Sequence, residues 1–178
     1  MKEPVKFGVV LGVICIISSA LLAVVNGFTQ PQIKLQNEKE EKAALEAVFP
    51  QAANFKAHIS ADKLDYYLVY DGSGHLQGFA IKASGKGYSS DIETLVGLNL
   101  DLDISAIKVL SLNETPGLGS RVAEKDFTGQ FQGKNSSSIS SVQAITGATI
   151  SSRAVINSIK DKISELMPEL SKEIKDAR

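Results

Sequence analysis

The stretch AITGATISSRAV, residues 144–155, places four hydroxyls (Thr146, Thr149, Ser151 and Ser152) around Gly147 and Ala148, just before a helical pattern begins. The first turn of a helix carries backbone N–H groups with no intrahelical acceptor, at the positive end of the helix dipole. Two kinds of chemistry answer that need. A Ser or Thr oxygen accepts from one amide, which here means a simple cap by Ser151 or Ser152. A phosphate accepts from several amides at once, and the lack of bulk at Gly147 and Ala148 would let a ligand approach the backbone closely. The local residues leave both readings open.

The rest of the composition is restrictive. One cysteine, Cys15, and two histidines, His58 and His75, are too few for a disulfide framework, a Cys-rich zinc or iron–sulfur site, or a haem attachment of the C-x-x-C-H type. His58 and His75 show no ligand spacing and read as surface residues. Lys and Arg total 19 against 20 Asp and Glu, with no basic stripe interleaved with aromatics, so a nucleic-acid partner is not expected. Redox work on such a chain would need an organic cofactor or a partner's metal.

Longer segments have to hold the hydroxyl cluster in place. Residues 7–28, FGVVLGVICIISSALLAVVNGF, carry no charge and are long enough to cross the roughly 30 Å hydrocarbon layer of a membrane. Lys2 and Lys6 precede this span, which predicts a cytoplasmic N-terminus and a main domain outside. A cleaved signal peptide is the competing reading, weakened by the length of the span and by the lack of a strong cleavage site. Residues 31–50 predict a juxtamembrane helix, opened by Pro31 and closed by Pro50.

Beyond it the period changes. YYLVY, the turn DGSG and LQGFAIKA read as one β-hairpin; IETLVGLNL, DLD and ISAIKVLSL read as a second strand pair. A four-stranded antiparallel sheet is the economical assembly, and it needs a helix over its apolar face. Val155, Ile159, Ile163, Leu166 and Leu170 recur at helical spacing and supply that cover, with Pro168 expected to bend or end the helix. A short helix is expected around residues 126–131, and QGKNSSSISS reads as an exposed turn region. The fold class expected is α+β, an antiparallel sheet covered by helices and preceded by one N-terminal transmembrane helix.

TGAT followed by a hydroxyl-bearing helix start resembles the flavinylation motif of the FMN-binding domain. That domain occurs in the G subunit of the Rnf ion-translocating electron-transport complex and in the C subunit of the sodium-translocating NADH:quinone reductase. The N-terminal span, YYLVYDGSGHLQGFAIKASGKGYSSDIETLVGL, ETPGLGSRV and AITGATISSRAVINSI stand in the order expected of the Rnf G subunit, so the resemblance covers essentially the whole chain. ETPGLG is much more specific than TGAT alone.

The resemblance implies that Thr149 is esterified through its hydroxyl to the phosphate of FMN, with Thr146, Gly147 and Ala148 completing the motif. Thr146 stands where a serine is often found. The resemblance also implies a separate flavin transferase for maturation, other Rnf subunits as partners, and no independent catalysis by this chain. The implied organisation is a transmembrane anchor over residues 1–30, a juxtamembrane helix over 31–50 and an extracytoplasmic FMN-binding domain over 51–178.

The isoalloxazine ring then needs a pocket built from other loops. Glu114, Thr115, Gly117, Leu118 and Gly119 of ETPGLG are the first candidates, and Tyr88 of GKGYSSD is the second. Plainer readings stand beside these: a turn or cap partner for Glu114, an ordinary half-buried aromatic for Tyr88. Two other functions compete with the electron carrier. One is an anchored, non-redox interaction module. The other is a stand-alone flavoenzyme, which the absence of an acid–base constellation disfavours.

Overall fold

A computed structural model describes residues 2–60 and 63–176 of the chain. The chain divides at Glu41 and Lys42 into two compact units. Helix α1, Lys2–Val48, supplies the described residues of the first unit and the opening of the second. In the first unit Val9, Leu11, Ile16, Leu22, Val25 and Phe28 are all exposed, on every side of the helix. Such a helix is long and apolar enough to cross a membrane, and no part of its apolar window is buried within the protein. Pro31 lies inside α1 and does not open a separate juxtamembrane helix as expected. A proline removes one i→i−4 bond and leaves the other bonds of the helix in place.

The second unit is built on a five-stranded sheet: β1 Asn54–Ser60, β2 Lys63–Tyr70, β3 Leu76–Lys86, β4 Asp91–Asn99 and β5 Ile104–Ser111. The strands lie in chain order, each antiparallel to the next. Both hairpins expected from the sequence are present. The count of four strands is corrected by β1, which pairs along β2 from Asn54 opposite Tyr70 to Ser60 opposite Lys63. His58 belongs to this strand and stacks on Tyr66 with ring centroids 4.4 Å apart, whereas His75 is exposed after its turn.

Alternation along the strands splits the apolar residues between two faces. One face, with Tyr66, Leu68, Phe79, Ile81, Ile92, Val96 and Leu98, packs under helix α3, Thr149–Asp176, through Val155, Ile159, Ile163, Leu166 and Leu170. The other face buries Val69, Ala80 and Leu95 against Ala44, Leu45, Val48 and Phe49. The C-terminal end of α1 and Phe49 therefore belong with the sheet, and the compact unit begins at Lys42 rather than at residue 51. Gly97 permits that approach, because a Cβ there would come within 2.6 Å of the Ser105 hydroxyl and collide with Val48.

Pro168 lies inside α3 and does not end it. A proline in a helix costs about 3 kcal/mol. Leu166 and Leu170 on either side of it are at most 3% exposed, and burying each contributes roughly 1.5–3 kcal/mol. The Tyr66 hydroxyl also donates to Glu173 Oε1 at 3.2 Å, tying the last turns to the sheet. Burial next to that carboxylate raises the Tyr66 pKa well above its ordinary value. Between β5 and α3 the chain runs through short turns, including α2, Lys125–Thr128, and a 3-10 turn over Gly129–Phe131, where the short helix was expected. Phe127 and Phe131 of this segment are buried, and so is Ile139 inside the stretch expected to be exposed.

Candidate functional site

The hydroxyl cluster sorts itself by burial. Ala148 N–H donates to Ile145 O at 2.9 Å and Ser152 N–H to Ala148 O at 2.9 Å, so Ala148 occupies the cap position of α3. Its side chain has no oxygen. Neither expected cap residue takes that role. The Ser152 hydroxyl donates to Ala148 O at 2.9 Å and accepts from Ile145 N–H at 3.0 Å, bracing the turn that leads into the helix. The Ser151 hydroxyl donates to Glu114 Oε2 at 2.7 Å. Ser151 is 2% exposed and Ser152 is fully buried, while Thr149 is exposed. The first turn of a 28-residue helix thus has no side-chain cap from the residue before it, and it displays one uncommitted threonine hydroxyl.

Gly147 sets this up. Its φ of +84° is a left-handed conformation that L side chains rarely adopt, and it turns the chain into the helix. A Cβ at Gly147 would meet Leu118 at 3.5 Å, an ordinary contact, so the need for glycine here is conformational more than steric.

Behind the exposed turn lies Glu114, 6% exposed. Its Oε1 accepts from the backbone N–H groups of Ser89 at 2.9 Å and Ser90 at 3.1 Å. Its Oε2 accepts from Tyr88 N–H at 3.3 Å and from the Ser151 hydroxyl. Burial pushes this carboxyl up, but the Ser151 hydroxyl and the amides of Ser89, Ser90 and Tyr88 outweigh it and hold the pKa below the usual carboxylate range. Two glycines admit the clamp. A Cβ at Gly119 would lie 2.6 Å from Glu114 Oε2 and 2.9 Å from the Ser151 hydroxyl, and one at Gly87 would collide with Glu114 Oε1. One carboxylate therefore joins the β3–β4 turn, the ETPGLG loop and the first turn of α3. This is the turn-partner reading of Glu114, extended to three segments.

In front of the clamp is a cavity of about 490 Å³, inside the roughly 300–1,000 Å³ range of small-molecule sites. It is lined by Tyr88, Glu114, Thr115, Leu118, Gly119, Gly147, Ala148 and Thr149, together with Ile150 and Ser151. The structure so brings together all but two of the residues expected to bind the cofactor. Gly117 stands apart: with φ +73° and its N–H on the Ser120 hydroxyl at 2.9 Å, it shapes the loop rather than the cavity wall. Thr146 lines a separate polar depression of about 270 Å³ with Arg121, Glu124 and Gln143. Tyr88 is not half-buried. Its side chain is 71% exposed, and with Leu118 at 47% and Ile150 at 55% it gives the cavity an apolar rim.

Sequence reasoning missed the parts played by Ile150 and Ser151. The only local trace of Ser151 is a hydroxyl two residues after Thr149, which has the same appearance as a cap. The arrangement as a whole offers an anion-receptive helix start with a free hydroxyl, and beside it an apolar-rimmed hollow of cofactor size. A phosphate linked to a planar aromatic group fits that pairing.

Residues 87–164 match the FMN-binding domain family, and residues 2–48 match the RnfG N-terminal region. The chain is 33% identical over 176 residues to the G subunit of the ion-translocating oxidoreductase complex of Methanosarcina acetivorans, covering 91% of this chain and 94% of that protein. It is 31% identical over 197 residues to the G subunit of the Na(+)-translocating ferredoxin:NAD(+) oxidoreductase complex of Acetobacterium woodii, covering 96% of this chain and 95% of that one. A crystal structure of Shewanella oneidensis NqrC shares the fold, with a TM-score of 0.54 at 21% identity over 72% of this chain and 74% of the other. With an N-terminal apolar helix, a matched FMN-binding domain and end-to-end similarity to these subunits, the chain belongs to the G-subunit family of Rnf ion-translocating oxidoreductase complexes.

Proposed function

We propose that this protein is an electron-transfer subunit of a membrane-bound ion-translocating oxidoreductase complex of the ferredoxin:NAD(+) kind named for its relatives, and that it carries FMN covalently bound through a phosphoester on Thr149. The observation that carries the reading is the placement of Thr149. It is the exposed hydroxyl on an uncapped helix start, it lines the cavity, and it falls within the segment that matches the FMN-binding domain. The amides at the start of α3 would hold the phosphate, and Tyr88, Leu118 and Ile150 at the rim would face the isoalloxazine ring. The flavin supplies the electron-carrying chemistry, and the chain fixes its position and surroundings.

The neighbouring hydroxyls do not compete for the phosphate. Ser151 and Ser152 are buried with their hydrogens committed, and Thr146 faces another depression. The apolar helix anchors the subunit in the membrane. The Lys2 and Lys6 flank favours an N-terminus in the cytoplasm and a flavin domain outside it. There a covalent link prevents loss of the cofactor to the medium. A flavin transferase makes the link, and the other subunits of the complex pass and receive the electrons.

The test is a denaturing gel of the full chain produced together with a flavin transferase. Flavin fluorescence should stay with the protein band and be absent from Thr149→Val. A dark wild-type band, or a fluorescent Thr149→Val band, would rule out the assignment.

A further inference from the structure

A second property of the cavity follows from its charge. Glu114 is the one carboxylate, and no Lys, Arg or His appears, among the described residues that line the cavity. The four donors that Glu114 accepts are three backbone amides and one hydroxyl, all uncharged. We propose that Glu114 holds a fixed negative charge in the cavity wall and thereby lowers the reduction potential of the group that the cavity carries. This inference rests on the FMN reading given under Proposed function.

Two-electron reduction of an oxidised flavin with uptake of one proton leaves one extra negative charge on the ring system. A nearby negative charge that no cation offsets opposes that gain, most strongly where water is partly excluded. Glu114 meets both conditions, being 6% exposed and part of the cavity lining. It stays ionised near neutrality, since its donors outweigh the upward push of burial and hold its carboxyl below the usual range. It is also held in place: its donors come from two different segments, and Gly87 and Gly119 lie too close to it to carry side chains. Glu114 is thus a positioning residue for the cavity wall and, through its charge, a setting for the potential of the cofactor.

Two substitutions separate the charge from its structural role. Glu114→Gln keeps the size and removes the charge, and it turns one of the two acceptor oxygens into an NH2 donor. Ser151→Ala keeps the charge and removes the one side-chain donor that disperses it. The full-length flavinylated chain in detergent would be titrated with dithionite in the presence of mediator dyes, following flavin absorbance. The potential should move positive in Glu114→Gln and negative in Ser151→Ala. Simple loosening of the wall would move both in the same direction, and that result overturns the proposal, as does an unshifted potential in Glu114→Gln. If Glu114→Gln does not fold, the sign of the Ser151→Ala shift decides: negative supports the charge, whereas unchanged or positive overturns it. A wild-type chain with no bound flavin has no couple to titrate. That outcome is told apart by its dark gel band, and it overturns the functional reading and this one together.

Discussion

Thr149 and Ser151 lie two positions apart in the first turn of α3, and they are treated in opposite ways. Ser151 is 2% exposed and gives its hydrogen to a buried carboxylate, whereas Thr149 is exposed at the edge of the cavity. The same contrast divides the cavity. Its back wall is a saturated clamp around Glu114, closed by Gly87 and Gly119, and its front is a rim of exposed apolar side chains on three segments. A closed back and an open front suit the proposed attachment of a bulky group after folding. Burial, not residue type, assigns the hydroxyls their roles.

The contrast is tested most severely by emptying the clamp. Glu114→Ala leaves three amides and a hydroxyl without their acceptor, and we expect a loss of about 3 kcal/mol in folding stability. Urea unfolding of residues 31–178, which retain Leu45, Val48 and Phe49 against the sheet, measures it. A loss below about 1 kcal/mol would mean that water entering from the cavity replaces the carboxylate.

The clamp should also be acid-sensitive. Glu114 titrates lower in the folded chain than in the unfolded one. Its stabilisation is therefore complete above the unfolded value of about 4.3, and is lost as the pH falls through that value and then through the lower folded one. The stability gap between wild type and Glu114→Gln should be constant from pH 7 down to about pH 5 and close on the acid side. A gap unchanged at acid pH would show that Glu114 acts by shape alone.

How much of this was legible beforehand depends on how far apart the interacting residues lie. Both hairpins and α3 announce themselves, because DGSG, DLD and a 3.6-residue apolar repeat are local signals. Strand β1 does not: Phe55, Ala57 and Ile59 do alternate with Lys56 and His58, but an edge strand exposed along much of its length needs little apolar character. Pro31 and Pro168 suggested breaks that the helices override. The motif pointed to Thr149 and to the loops that line the cavity with it, yet the clamp was invisible. Glu114 reaches its amide donors across 24 to 26 residues and Ser151 across 37, so no spacing pattern could connect them.

A smaller effect is expected at Ser152, which braces the entry to α3 through Ile145 N–H and Ala148 O. Ser152→Ala leaves one part-buried amide without an acceptor and should cost roughly 1–2 kcal/mol. Intact-mass measurement should still find flavin on the chain, because Thr149 is untouched. Loss of modification without loss of stability would make Ser152, like Thr149, part of the acceptor site and weaken the division drawn between them.

Thr149→Val should have the smallest effect on folding and the largest on the cofactor. The side chain is exposed, and valine keeps its branched shape, so unfolding should shift by no more than about 0.5 kcal/mol, as for most surface changes. Modification, in contrast, should disappear, since valine has no oxygen to esterify and the other hydroxyls of the motif are buried or face elsewhere. Together with Ser152→Ala, this variant gives the contrast its sharpest form: one hydroxyl carries stability with no modification, and the other carries modification with almost no stability. If Thr149→Val unfolded as readily as Glu114→Ala, its hydroxyl would be part of the frame after all, and an exposed position at the start of α3 would no longer mark it as the residue kept free for the cofactor.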